Sequence, residues 1–337
     1  MPMNRSVPRP PFPLPPAPLR IAVVQARSSP GEVAANARTA AAHITRAAEG
    51  GASLVVLPEL FLPSYDLPAI AAAPDRHVVP TTPRGTVPDG RLDPVREAAA
   101  GAGVLVLIGA AVGHPGRSPK IATLAADPTG HTSVVYCKQH LWGEEAAFFT
   151  PGHRGVSLDL DGWILGLGIC YDASFPEHGR AAALDGAHAY VCPSAFAAGR
   201  QTRAEIYHRA RALENTMFSV MANPVGRHGA YAFTGGSSVY SPVGQVVTKA
   251  TRPRERVLIA YLDPQRLADA RAHLRMPLEC DLPAGPKPHR ITYRLGTSPA
   301  RPGAGARQRP GASEQAAPEA ETVFPRVVDE GDAMRGE

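Results

Sequence analysis

The sequence is short of cysteine pairs, aromatic residues, long apolar runs and clusters of one charge, and each shortage removes a class of function. Its four cysteines, Cys137, Cys170, Cys192 and Cys280, lie far apart without CxxC spacing. That speaks against a disulfide framework or a cysteine zinc site and points to a reducing, cytoplasmic compartment. No apolar stretch approaches the roughly 18 residues needed to span a bilayer, so no membrane partner is expected. The N-terminus has no charged start followed by an apolar segment, so no secretory signal is expected either. The 35 Lys and Arg residues are offset by 30 Asp and Glu, leaving a net charge of +5. The basic residues do not gather in runs with interleaved aromatics, which argues against a nucleic-acid partner. The twelve histidines form no HExxH pattern, and no Walker loop or GxGxxG fingerprint follows a strand. Neither a metal nor a cofactor is expected.

What is present suits a globular enzyme. With 44% hydrophobic and 19% charged residues, 337 residues can bury a full core as one large domain or two average ones. Residues 1–18 contain eight prolines, which predicts an extended arm lying outside the fold. Residues 283–337 turn to Pro, Gly, Ala and mixed charge, with a short apolar segment only around Val323 and Phe324. They are expected to form a flexible tail, leaving 19–282 as the folded domain.

Within that domain, short apolar runs at 19–26, 54–57 and 104–109 alternate with alanine-rich stretches at 33–48 and 94–102, the β-α-β-α-β rhythm of an α/β protein. Residues 121–126 and 133–138, joined by Asp127-Pro128-Thr129-Gly130, predict a hairpin. A strand at 163–169, a helix at 176–184 and a strand at 189–191 continue the rhythm. A helix follows in which Ile206, Ala210, Leu213 and Met217 mark one face. A second hairpin is expected at 236–240 and 245–248.

Cys170 closes the strand at 163–169, and Pro176 suits the first position of the helix that follows, with Ser174 and Glu177 able to form its capping box. A cysteine on such a turn is exposed to backbone amides and a helix N-terminus that favour a thiolate. Glu59 stands just past an apolar strand, where burial would raise its pKa toward the range useful for proton transfer. Lys138 ends another strand. Taken singly, these are a core cysteine, a loop glutamate and a solvated lysine, and His140 and Glu145 are supporting or surface residues.

Taken together they form an ordered set. Leu57-Pro58-Glu59-Leu60-Phe61 comes first, then Lys138-Gln139-His140-Leu141 with Glu145 and Phe149-Thr150-Pro151-Gly152, then Gly168-Ile169-Cys170-Tyr171-Asp172 running to Phe175-Pro176-Glu177. This order resembles the nitrilase superfamily of carbon-nitrogen hydrolases, whose triad is Glu, Lys and Cys. Supporting matches are Gly186-Ala187, Pro193-Ser194, Arg209 to Asn215, Asn223, and the hairpin from Gly236 to Gly244. The resemblance covers about residues 19–263. It implies a four-layer α-β-β-α sandwich, usually paired into a homodimer or higher homo-oligomer. It implies that Cys170 is the nucleophile, Glu59 the general base and acid, and Lys138 with the Tyr171 amide the oxyanion partners. Glu145, or its neighbour Glu144, would orient Lys138, and Tyr65 would help to position Glu59. Tyr65, Trp142, Tyr171, Ser194 and Phe196 are the substrate-binding candidates. Cys170-Tyr171-Asp172 is similar to the amidase and carbamoylase branches, which favours hydrolysis of a small linear amide through a thioester. Hydrolysis of an N-carbamoyl amine, acyl transfer to an amine, and a non-catalytic scaffold remain as alternatives. Arg200 and Arg203 are candidates for holding a substrate carboxylate, and Asp66 and Glu144 for holding an amine or guanidine.

Overall fold

Alternate residues of the first strand, β1 (Leu19–Gln25), go to opposite faces of a sheet, and both faces are buried. Leu19, Ile21 and Val23 join an apolar layer shared with a second sheet, whereas Ala22 and Val24 meet helices on the outer side. Burial on both faces explains why the strands read as continuous apolar runs. The computed structural model describes residues 12–113, 117–280 and 286–295, all within one compact unit, Met1–Ser298.

The first sheet adds β2 (Leu54–Val56), β3 (Val79–Pro80), β4 (Leu105–Gly113), β5 (Lys120–Ala126), β6 (Thr132–Cys137) and, late in the chain, β15 (Arg256–Leu262). Its order is β15-β1-β2-β4-β5-β6, with β3 paired to β4. The second contains β7 (Val156–Leu160), β8 (Trp163–Leu167), β9 (Ala189–Pro193), β10 (Phe218–Ala222), β13 (Ser238–Tyr240), β14 (Val246–Lys249) and β16 (His289–Tyr293). Its order is β14-β13-β10-β9-β8-β7-β16. A separate hairpin, β11 (Val225–His228) with β12 (Tyr231–Thr234), lies outside both.

Helices α1 (Val33–Glu49), α2 (Leu67–Ala72), α3 (Pro74–His77), α4 (Asp93–Ala102), α5 (Glu145–Phe148), α6 (Pro176–Leu184), α7 (Gln201–Asn215), α8 (Pro264–His273) and α9 (Met276–Glu279), with short 3-10 turns at Gly90–Leu92 and Cys170–Ser174, complete the described elements. Val33, Ala37, Ala40 and Ile44 of α1 and Val95 and Ala99 of α4 seal the outer face of the first sheet. Ala182 and Ala183 of α6 pack on Tyr190 and Cys192 of the second, and α7 lies beside β10 through His208 and Ser219. The layers are α-β-β-α, as the motif set implied.

Four expectations change. Helix α7 is present, but its apolar stripe points outward: Ile206 is 59% and Leu213 44% exposed. The inner face is small or polar instead. His208 pairs with Ser219 at 2.9 Å, Arg211 donates to the Ala173 carbonyl at 2.9 Å, and Asn215 to the Arg211 carbonyl at 3.0 Å. Buried polar groups with partners are stable there, so spacing alone misassigned the face. Met217 lies beyond the helix end.

The expected unpacked arm at 1–18 divides, residues 1–11 lying outside the described ones. Residues 12–18 pack on the domain, because an extended Pro-rich backbone leaves its carbonyls free. Trp163 Nε1 donates to the Ala17 carbonyl at 2.8 Å, and the His188 ring meets the Pro13 carbonyl at 2.7 Å. The expected tail likewise begins as structure: β16 runs parallel to β7, and Ile291, Tyr293 and Leu295 pack against the core at two-residue spacing. Residues 296–337, with Val323 and Phe324, lie outside the described residues. The Ser174 capping box is also absent. Phe175 occupies the cap of α6 with no side-chain bond, and Ser174 Oγ is buried without a partner among the described residues.

Candidate active site

Three chain segments from the two sheets converge at one end of the inner layer. The first leaves β2 through Leu57 and Pro58 to Glu59, whose backbone N–H reaches the Ser194 carbonyl at the end of β9, 3.4 Å away. This loop presses against β4 at Gly109, where a Cβ would stand 2.3 Å from the Pro58 carbonyl oxygen and 2.4 Å from the Leu60 nitrogen. Only glycine admits that approach. Leu60 and Ser64 take positive φ values of 49° and 66° as the loop turns away. The second segment ends β6 at Lys138, fixed by the Gly152 N–H on its carbonyl at 2.7 Å. The third leaves β8 and enters a single-turn helix, Cys170–Ser174, with Cys170 itself at φ +45°.

The charged groups meet in a buried cluster. Lys138 Nζ lies 2.6 Å from Glu59 Oε1 and 2.7 Å from each oxygen of Glu145, and all three side chains are buried. Glu145 also accepts the Tyr65 hydroxyl at 2.6 Å and the Trp142 N–H at 2.8 Å. Glu145 is thus the carboxylate that orients the lysine. Glu144 instead accepts the Tyr231 hydroxyl at 3.1 Å on the outside. Tyr65 acts on Glu145 and not directly on Glu59, its ring wedged edge-on against Tyr231 and Phe233.

This crowding sets the proton affinities. Burial, with the Glu145 charge behind it, outweighs Lys138 and lifts the Glu59 carboxyl to about 7. Burial works against the Lys138 ammonium, but Glu59 and Glu145 prevail and keep it charged, its pKa raised. The Cys170 thiol is pushed well up, by burial first and by Glu59 second, against the pull of Lys138 and the Ala195 amide. The resting sulfur is therefore a neutral thiol, contrary to the expectation of a thiolate at a helix start. A single buried turn supplies too little positive potential to offset burial beside two carboxylates.

Sequence reasoning missed two supports. Asp172, quoted as part of a motif, fastens the lysine loop to the cysteine loop. Its Oδ1 accepts the His140 N–H at 2.9 Å and meets His140 Nδ1 at 2.8 Å, while Oδ2 accepts the Ile169 N–H at 2.9 Å and the Tyr136 hydroxyl at 2.7 Å. Burial alone would raise its carboxyl, but His140 and these other donors hold it below the usual carboxylate value. The second support is the Ala195 amide at the Cys170 sulfur, held in place through Asn223, whose side chain binds the Phe196 N–H at 2.7 Å and carbonyl at 3.1 Å. A backbone amide leaves no mark in a sequence, although Asn223 was an indirect one.

Of the substrate-binding candidates, Trp142 and Tyr171 meet edge to face, centroids 4.8 Å apart, and Trp142 is 42% exposed. Phe196 is buried next to Ala195. Ser194 faces inward, its hydroxyl donating to the Cys192 carbonyl at 3.0 Å, and is not free to meet a ligand. Asp66 caps α2 by accepting the Ala69 N–H.

The carbon-nitrogen hydrolase family model matches residues 20–272. The chain belongs to that family. Among its relatives, an (R)-stereoselective amidase of a Pseudomonas species is 34% identical over 75% of this chain and 88% of that protein. An omega-amidase of Danio rerio is 29% identical over 76% of this chain and 92% of its own length. An amidase of Nesterenkonia AN1 from the nitrilase superfamily has a similar structure, with a TM-score of 0.65 and 31% identity over 78% of this chain and 98% of that one. A mutant of that amidase carries the acetamide moiety of fluoroacetamide covalently on its active-site cysteine. This carbon-nitrogen hydrolase has no helix, among its described residues, long and apolar enough to cross a membrane.

Proposed function

We propose that this carbon-nitrogen hydrolase cleaves a small linear amide to a carboxylic acid and ammonia or an amine, through a thioester on Cys170. The observation that carries the reading is the state of Glu59. One of its oxygens is bound by Lys138, and the other, Oε2, is buried with no hydrogen-bond partner among the described residues. A carboxyl near 7 with a free oxygen beside a neutral thiol is prepared to take the thiol proton as sulfur attacks.

In the first half-reaction the Cys170 sulfur bonds to the amide carbon and its proton passes to Glu59. Lys138 and the Tyr171 amide receive the developing oxyanion. Glu59 returns the proton to the leaving nitrogen, the carbon-nitrogen bond breaks, and a thioester remains. A water then gives its proton to Glu59 and its oxygen to the acyl carbon, releasing the acid and restoring the thiol. Lys138 stays protonated throughout: Glu145 holds its charge at every stage, and the oxyanion replaces the charge of Glu59 while Glu59 carries the proton. The covalent adduct in the Nesterenkonia amidase supports the same role for cysteine. The four unpaired cysteines support a cytoplasmic setting, and the outward apolar stripe of α7 supports a homodimer.

The test is ammonia release from simple amides, dicarboxylate monoamides, N-carbamoyl amines and nitriles, with wild type and Cys170→Ala. Turnover of amides by wild type, reduced on the order of 1,000-fold or more in the variant, is the expected result. Release from N-carbamoyl amines alone would move the substrate assignment. Product that appears only with an added amine acceptor would replace hydrolysis by acyl transfer. Activity surviving in Cys170→Ala overturns the assignment of the nucleophile.

A further inference from the structure

The charged side chains around the site are unevenly committed. Asp66 is engaged as a helix cap and Glu144 by Tyr231, and Arg200 is exposed at the start of α7. Arg203 differs from all three. Its guanidinium carbon lies 4.7 Å over the Trp142 ring and 5.8 Å from the centroid of Phe196. Among the described residues its buried Nε has no hydrogen-bond partner and no carboxylate pairs with it.

The two rings that hold Arg203 belong to the site. Trp142 gives its backbone N–H to Glu145 and its edge to Tyr171, the residue after Cys170. Phe196 follows Ala195, whose amide acts on the Cys170 sulfur. Arg203 is therefore fixed against the segments that carry Lys138 and the Ala195 amide, with Tyr171 of the Cys170 segment on the edge of Trp142. It also occupies the first turn of α7, which has no acidic residue, a place where the helix dipole opposes a cation. Stacking occupies the faces of a guanidinium and leaves its in-plane N–H groups for an anion, and their fork matches a carboxylate.

Resting on the amide-hydrolase reading, we propose that Arg203 receives a carboxylate at the far end of the substrate, so that the protein selects amides of acids bearing a second, ionised carboxyl group. Recognition at this position acts on binding and leaves the chemistry to Glu59, Lys138 and Cys170.

The experiment compares kcat/KM for the monoamides of succinate and glutarate with that for pentanamide, in wild type, Arg203→Lys and Arg203→Gln. Wild type is expected to favour the carboxylated amides. Arg203→Gln is expected to lower that preference about 10- to 100-fold, mainly through KM, with Arg203→Lys between the two. Equal or better turnover of pentanamide by wild type, or an equal loss on all substrates in Arg203→Gln, overturns the proposal. A second measurement separates it from the hydrolase reading: calorimetric titration of glutarate monoamide into Cys170→Ala with and without Arg203→Gln. Binding that is lost only with the arginine supports the carboxylate site even if no amide is cleaved. Equal affinity in both proteins refutes it even if amides are cleaved.

Discussion

At the scale of single residues, Glu59 governs the pH dependence. Acting as a base it must be ionised, so kcat/KM should be low in acid, climb through a pKa near 7 and level off above it. Glu59→Gln should remove that climb and most of the rate, on the order of 1,000-fold. A rate profile flat from pH 5 to 8 in wild type would place the base elsewhere. The sign for stability is opposite. A carboxyl raised from 4.5 to about 7 contributes most to the folded state below 4.5 and loses that contribution as pH rises through 7. The gathering of Glu59, Lys138, Glu145 and Cys170 at one place was legible from the ordered motifs that contain them. The choice of Glu145 over Glu144 was not, since it depends on which carboxylate turns inward. Nor was the neutral state of Cys170, which follows from burial and from the net charge of three neighbours. The inward turn of Ser194 was hidden for a related reason: a hydroxyl just past β9 is taken up by the Cys192 carbonyl of its own strand.

At the scale of elements, the sequence carried most of the layer order. Strands buried on both faces leave unbroken apolar runs, and β1, β2, β5 and β8 were legible for that reason. Two elements were misread where local composition and tertiary environment disagree. The inner face of α7 is held by partnered polar groups, so its apolar residues were free to face out. Strand β16 is short, lies amid Pro and Gly, and becomes recognisable only when β7 offers an edge. The close packing of the Glu59 loop on β4 yields a prediction of its own. Gly109→Ala places a Cβ against backbone atoms of Pro58 and Leu60, which cannot rotate away, so the loop must shift. We expect a stability loss of about 1–3 kcal/mol in denaturant unfolding and a fall in kcat larger than that loss explains, because Glu59 moves from Lys138. Full activity in a folded Gly109→Ala protein would contradict the tight approach.

At the scale of the whole molecule, the outward stripe of α7 is the surface through which the proposed homodimer would pair. Ile206 and Leu213 stand exposed on the helix, and Val243, 40% exposed, belongs to the β13–β14 turn that Arg209 ties to α7 through the Gly244 carbonyl at 3.0 Å. Glu205 lies between Lys249 at 2.6 Å and Arg209 at 3.5 Å, so charged pairs border the apolar residues, as at the rim of an interface. Two copies joined through α7 would cover the stripe. Light scattering should then give twice the chain mass for wild type and one chain mass for Ile206→Asp with Leu213→Asp, with the variant still cooperatively folded. A monomeric wild type would remove the homodimer assignment. Arg203 lies in the first turn of the same helix, so pairing also bears on the proposed substrate binding. If the partner steadies α7, the monomeric variant should show a raised KM for carboxylated amides with little change in kcat, because the triad hangs on other elements. An unchanged KM in a true monomer would mean that Trp142 and Phe196 hold Arg203 without help from a second copy.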